Sequence, residues 1–257
     1  MASRAHLSFP TSPRFGEGEL VRRIALASEK VEEAAPAPRL NRLLGELVYL
    51  AEPFARPFRQ VDVPLAQNPQ IVMILPGFFT GPTRMRYLAR LLEQAGHKTK
   101  HWGLGLNLGP TRENFADLER RLAEVHDRYG QQVVLLGWSL GGLFARELAK
   151  LQPHAVSKVI TMGTPFSGSP RANNAWRLYQ LVAGHRVDEP PIDGDRTEKP
   201  PVETVALWSP RDGVIAPRSA CGVPGERDRA IAIRCTHMGF SYAPEAVQEV
   251  LRELDRA

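Results

Sequence analysis

A chain of 257 residues is long enough for one large α/β domain, or for a domain of about 200 residues with an accessory piece. Hydrophobic residues make up 43% and charged residues 24%, the balance of an ordinary soluble globular protein. Lys plus Arg (33) exceeds Asp plus Glu (28) for a net charge of +5. The basic residues are scattered and no zinc-finger or glycine-rich phosphate-binding pattern occurs, so nucleic acid is not an expected partner.

The N-terminus, MASRAHLSFPTSPRFGEGE, lacks the apolar central segment of a secretory leader, and no run has the length of a transmembrane helix. A cytoplasmic location is therefore the default expectation. Residues 1–16, interrupted by Pro10 and Pro13, read as an irregular leader. A helix is predicted over 17–35 and, after Pro36 and Pro38, a second over about 40–52. Leu40, Leu43, Leu44, Leu47, Val48 and Ala51 give that second helix a broad apolar face. Packing against the main domain is the expected use of this face. The alternatives are a contact between two copies of the chain or the border of a substrate groove. Residues 1–59 are thus read as an N-terminal helical extension and residues 60–257 as the main domain.

Within that domain the apolar run IVMIL (71–75) predicts a strand, followed by the turn PGFFTGPTRM and a helix through Leu92. A short strand is predicted at Lys98–Trp102, then the glycine-rich loop GLGLNLGPT, then a helix over Asn114–Tyr129. VVLL (133–136) and SKVITM (157–162) predict strands that bracket a helix starting just after Ser139. Further strands are predicted at Glu203–Trp208 and Ala230–Arg234, with a closing helix at Pro244–Leu254. Residues 163–202 read as an insertion, with a short helix at Ala172–Ala183 and a proline-rich loop after it. Short apolar strands alternating with helices argue for a mostly parallel sheet covered on both faces.

The chemistry centres on GWSLG, residues 137–141. A G-x-S-x-G between a strand and a helix lifts the serine hydroxyl above the sheet edge on a strained turn, and glycines are needed where strand and helix nearly touch. Ser139 is a weak nucleophile alone and needs a base. His237, in CTHMGFSY after the last predicted strand, is the candidate, against the plain reading of a loop or capping histidine. His97, His101, His126 and His154 lie at helix or edge-strand ends without comparable placement. Asp212, after the strand ending in ETVALW, is the carboxylate candidate that holds the imidazole tautomer. On its own, Asp-Gly more often marks a turn. Asp188, Asp193, Asp195 and Glu203 are weaker competitors.

The order Ser139, Asp212, His237 is the nucleophile–acid–base order of α/β-hydrolases. The oxyanion of a tetrahedral intermediate needs two N–H donors, for which Leu140, at the helix start, and Phe78, in PGFF, are the backbone candidates. Phe79, Trp138 and Trp176 are candidates to border an apolar pocket. Cys221 and Cys235 are the only cysteines; a local disulfide is sterically conceivable, but two free thiols are expected in a reducing compartment.

Over about Gln60–Leu254 the chain resembles the α/β-hydrolase superfamily, especially small bacterial esterases and lipases. LPGFFTGP resembles the first oxyanion turn, with Pro76 where many relatives have histidine. GWSLGG resembles the nucleophile elbow, with Trp138 in place of a common histidine. ITMGTPFSGS, SPRDGVIAP and THMGF resemble the segments after the elbow helix and around acid and base. The resemblance implies a three-layer α/β-hydrolase fold lacking the earliest strands, with Ser139, Asp212 and His237 as triad and Phe78 and Leu140 at the donor positions. It further implies hydrolysis of carboxylic esters of small molecules or lipids, through an acyl-enzyme and without metal or organic cofactor. An acyltransferase or thioesterase using the same triad, and a catalytically silent binding protein on this scaffold, are the alternative expectations.

Overall fold

Along the central strands alternate side chains face opposite ways, and both ways are largely buried. The computed structural model describes residues 16–30, 35–55, 60–192 and 194–256. Six strands, β1 (Ile71–Leu75), β2 (Lys98–His101), β3 (Val133–Trp138), β4 (Val156–Met162), β5 (Glu203–Trp208) and β6 (Arg229–Ala232), form one sheet in the order β2-β1-β3-β4-β5-β6. Every pairing is parallel. Val72, Ile74, Val134, Leu136 and Trp138 pack on one face with the helices α4 (Pro82–Gln94) and α8 (Pro244–Asp255). Met73, Leu75, Val133 and Leu135 pack on the other with α5 (Arg112–Tyr129) and α6 (Leu140–Leu151). This is the three-layer sandwich that a doubly covered parallel sheet requires.

The register sets the site. Leu75 lies beside Gly137, Trp138 beside Met162, and Met162 beside Leu207, so the carboxyl ends of β1, β3, β4 and β5 finish level. β1 continues into β2 on one side while β3 lies on its other side, which makes the β1–β3 edge the topological switch point where such sheets bind ligands.

Outside the sheet, several elements differ from their sequence expectation for local reasons. α5 starts at Arg112 because Thr111 and Asn114 form a capping box. The insertion helix α7 (Trp176–Ala183) starts later than Ala172 because Asn173 bridges Ile215 and Asn174 N–H binds the Val214 carbonyl. The first helix, α1 (Glu17–Ala27), ends short of 35, and residues 31–34 lie outside the described residues, as does the leader before Gly16. The second region divides into α2 (Leu40–Gly45), a 3₁₀ turn (Glu46–Ala51) and α3 (Glu52–Ala55). Its apolar face does not pack on the main domain: Leu40, Leu44, Leu47 and Val48 are exposed. The side that docks carries Glu46 instead. Among the described residues, no helix is long and apolar enough to cross a membrane.

α1 packs on α7 through polar groups at the ends of both helices. Arg22 donates to the Gly184 carbonyl (2.8 Å), and Arg23 to those of Leu181 (3.3 Å) and Val182. In return, Gln180 Nε2 donates to the Leu26 carbonyl (2.6 Å) and Arg177 to that of Ala27 (2.7 Å).

Candidate active site

Ser139 stands between β3 and α6 with φ 53° and ψ −122°, a left-handed backbone that a non-glycine residue adopts at a cost of about 1–3 kcal/mol. Its own N–H is held by the Met162 carbonyl at 2.8 Å, which pins the elbow to the end of β4. A Cβ on Gly137 would fall inside the Gly142 backbone, and one on Gly141 inside the Leu75 carbonyl. Strand and helix touch there, as G-x-S-x-G demands.

His237 and Asp212 arrive from the loops after β6 and β5. His237 Nδ1 hydrogen-bonds Asp212 Oδ2 at 2.8 Å, with both side chains buried. Asp212 Oδ1 accepts from the Val214 (2.8 Å) and Ile215 (2.7 Å) N–H groups, so its carboxylate cannot turn. The His237 carbonyl accepts from Trp138 Nε1 at 3.1 Å, tying the base loop to the residue before Ser139. With Nδ1 committed to Asp212, Nε2 is the nitrogen left to exchange a proton with a hydroxyl. No hydrogen bond joins Ser139 Oγ to the imidazole among the described residues. Such bonds commonly tighten only when substrate is bound. Burial alone disfavours the charged ring, but the charge and hydrogen bond of Asp212, reinforced by Glu46 and opposed by Arg84, raise the His237 pKa above the ordinary histidine value.

Phe78 N–H and Leu140 N–H have no hydrogen-bond partner among the described residues, whereas the next N–H in the first turn, that of Phe79, binds the Asn107 carbonyl at 2.7 Å. Both Phe78 and Leu140 border, with Ser139, a cavity of about 380 Å³. Its apolar wall includes Leu143, Phe144, Tyr179 and Ile192. Of the three side chains expected to border a pocket, Trp176 lines it. Phe79 is 56% exposed outside it. Trp138 is a core residue, 2% exposed, because the parity of β3 turns it to the face of Val134 and Leu136.

The competing acids are bound to other partners: Asp188 and Asp195 border the cavity, but Asp188 pairs with Arg171 (2.8 Å) and Asp195 binds Thr197, while Glu203 pairs with Lys158 (3.0 Å). Asp193 lies outside the described residues. His97 is buried beside Gln70, its pKa lowered by burial, and His126 and His154 stack edge to face on each other. Cys221 and Cys235 are free thiols, and burial pushes the Cys235 pKa up, away from the thiolate a nucleophile needs.

Asn107 went unread in the glycine-rich loop, yet it braces the turn after β1 that carries Phe78. Wholly buried, it donates through Nδ2 to the Pro76 carbonyl (2.8 Å), accepts from Gly109 N–H (3.2 Å), and exchanges backbone bonds with Phe79 and Thr80. Its polar side chain among glycines was the available signal. Asn107→Ala is expected to lower kcat for a short ester by about 10- to 100-fold with KM little changed, measured by steady-state kinetics on folded protein, because the turn carrying the Phe78 N–H loses its brace.

Comparison with known proteins agrees with this architecture. A family model described as the alpha/beta hydrolase fold matches residues 64–186, a span that includes Ser139 and ends before Asp212 and His237. A pimeloyl-(acyl-carrier protein) methyl ester esterase of Aromatoleum aromaticum is 40% identical over 67 residues, 26% of this chain and 24% of that enzyme. The chain therefore matches only about a quarter of that relative's length. Aspergillus fumigatus lipase B superposes with a TM-score of 0.53 at 19% identity, over 77% of this chain and 56% of the lipase. A pyrethroid hydrolase from Sphingobium faniae superposes with a TM-score of 0.51 at 15% identity, over 73% of this chain and 98% of that one. From the all-parallel sheet, the level strand ends, the partial family match and these superpositions, the chain has the α/β-hydrolase fold.

Proposed function

We propose that the protein hydrolyses carboxylic esters with apolar acyl groups, with Ser139 as nucleophile. The observation that carries this reading is the buried Asp212–His237 hydrogen bond held against the strained Ser139 elbow. Ser139 Oγ attacks the ester carbonyl as its proton passes to His237 Nε2. The imidazolium is stabilised by Asp212, and the carbonyl oxygen, now negative, takes the unpaired N–H groups of Phe78 and Leu140. Collapse breaks the bond to the alcohol, which leaves with the proton from Nε2. Water then attacks the acyl-serine, giving one proton to Nε2; the acid departs and Ser139 Oγ recovers that proton. The mostly apolar cavity beside Ser139, with Glu147, Asp188, Asp195 and Arg196 also bordering it, supports an apolar acyl group, and its size lies at the small end for ligand sites.

The test is a series of p-nitrophenyl esters of increasing acyl length, run with wild type and with a serine-directed phosphonate. Each methylene buried in the cavity is worth about 0.8 kcal/mol, so kcat/KM is expected to rise by up to about fourfold per carbon and then stop when the cavity is full. Turnover of soluble esters but not of emulsified long-chain ones identifies an esterase rather than a lipase. The absence of both turnover and phosphonate labelling of Ser139 would overturn the proposal.

A further inference from the structure

One buried side chain from the N-terminal region binds both the acid loop and the base loop. Glu46, at the start of the 3₁₀ turn, is only 8% exposed. Its Oε1 accepts from the His237 N–H at 2.7 Å and the Gly213 N–H at 2.9 Å, and its Oε2 from the Met238 N–H at 2.9 Å. Three donors converging on two oxygens suit a carboxylate, which only accepts. Gly213 and His237 directly follow Asp212 and Thr236 in their loops, so these bonds grip the backbone at the acid and at the base themselves.

Neighbouring contacts make this docking specific. A Cβ on Gly213 would strike the Arg42 carbonyl, so the turn after Asp212 is shaped to receive the backbone of α2. Asn174 Nδ2 bridges the Pro38 carbonyl (3.0 Å) and the Gly213 carbonyl (2.8 Å). From α4, Arg84 stacks 3.6 Å over the Tyr49 ring and donates to the Met238 carbonyl at 2.8 Å.

We propose that Glu46 is a positioning residue of the hydrolytic site, holding the acid and base loops in mutual register so that the Asp212–His237 pair is presented to Ser139. The proposal rests on the ester-hydrolase reading of those three residues. Glu46 touches no reacting atom; it acts through the backbone of the loops and through its charge. The charged and titratable groups around the His237 ring are Asp212 and Glu46, which favour the imidazolium, and Arg84, which opposes it, with the Cys235 thiol buried close to both carboxylates.

Glu46→Gln in the full chain keeps the shape but removes the charge and sets an NH2 group against an N–H donor. The His237 titration, followed by NMR on its ring protons without substrate, is expected to shift to lower pH, because a charge that favoured the imidazolium is gone. The acid limb of kcat/KM should shift with it, and kcat should fall on the order of tenfold, with KM for a short ester little changed. A loss of stability alone would lower the folded fraction without moving either midpoint. Glu46→Asp, which keeps the charge and shortens the reach, should return the titration toward wild type while kcat stays low, and it serves if the glutamine variant does not fold. An unmoved titration in Glu46→Gln, or wild-type kcat in Glu46→Asp, would overturn the proposal. Wild type that neither turns over ester nor reacts with the phosphonate sinks the hydrolase reading; the NMR shift then still tests the grip of Glu46 on His237.

Discussion

Ser139→Ala is expected to lower kcat for ester hydrolysis by roughly 10^6-fold, a loss of about 8 kcal/mol in transition-state stabilisation. The attacking oxygen has no substitute nearby: Cys235 is buried with its thiol held protonated, and the Ser139 backbone stays in the same left-handed turn with alanine in place. Alanine relieves none of the backbone strain, so the melting temperature should change little. Burst titration with a p-nitrophenyl ester and intact-mass detection of the phosphonate adduct check this together. Retention of either signal in the variant would remove Ser139 from the mechanism.

The next largest effect is expected from Asp212→Asn, at about 10^4-fold in kcat. The reason lies in how the carboxylate is held. Oδ1 receives two backbone N–H groups, from Val214 and Ile215, so an amide there keeps its oxygen on that side and turns its NH2 toward the imidazole. His237 Nδ1 must then accept, its proton moves to Nε2, and the lone pair that should receive the serine proton is lost. The pH profile carries a second signature. In wild type burial works against the charged ring, but the charge and hydrogen bond of Asp212, with Glu46, raise the His237 pKa, so activity is expected to be lost as pH falls through a value above that of an ordinary histidine. Without the Asp212 charge, burial dominates, the ring loses its proton more readily, and the acid limb moves to lower pH even as the plateau drops. A kcat/KM profile over the acid-to-neutral range reads both changes, and an unmoved limb would contradict this account of the pair.

What could be read from residues alone was local or ordinal. Apolar runs such as IVMIL and VVLL marked the strands because burial on both faces leaves no polar position. The elbow, the acid turn and the histidine loop could be placed because each follows a strand, and strand ends of a parallel sheet meet at one edge. The facing of Trp138 was not legible from residue type, since its direction follows from the phase of β3 at the elbow. Nor was the division of residues 40–55, where a continuous apolar face suggested one helix packed by that face. The docking force there is polar: Glu46 is drawn to N–H groups as far as 192 residues away in sequence, and no periodicity encodes such a partner. Asn107 escaped for the same reason, its partners being carbonyl and amide groups of a turn some 30 residues earlier.

The bonds between α1 and α7 bear on how freely the cavity wall can move. The last carbonyls of α7 are answered by guanidinium groups of Arg22 and Arg23, and α7 supplies Trp176 and Tyr179 to the cavity wall. That wall cannot swing as a free loop; it opens either by stripping those carbonyls of their cations or by carrying α1 along. Opening is therefore a small unfolding event with its own equilibrium constant, and backbone amide exchange in α7 should keep pace with that in α1. Under the proposed ester hydrolysis, a helix more than a hundred residues before Ser139 is therefore expected to set the dwell time of a bulky acid, while the bond-breaking steps fall to the residues at the sheet edge.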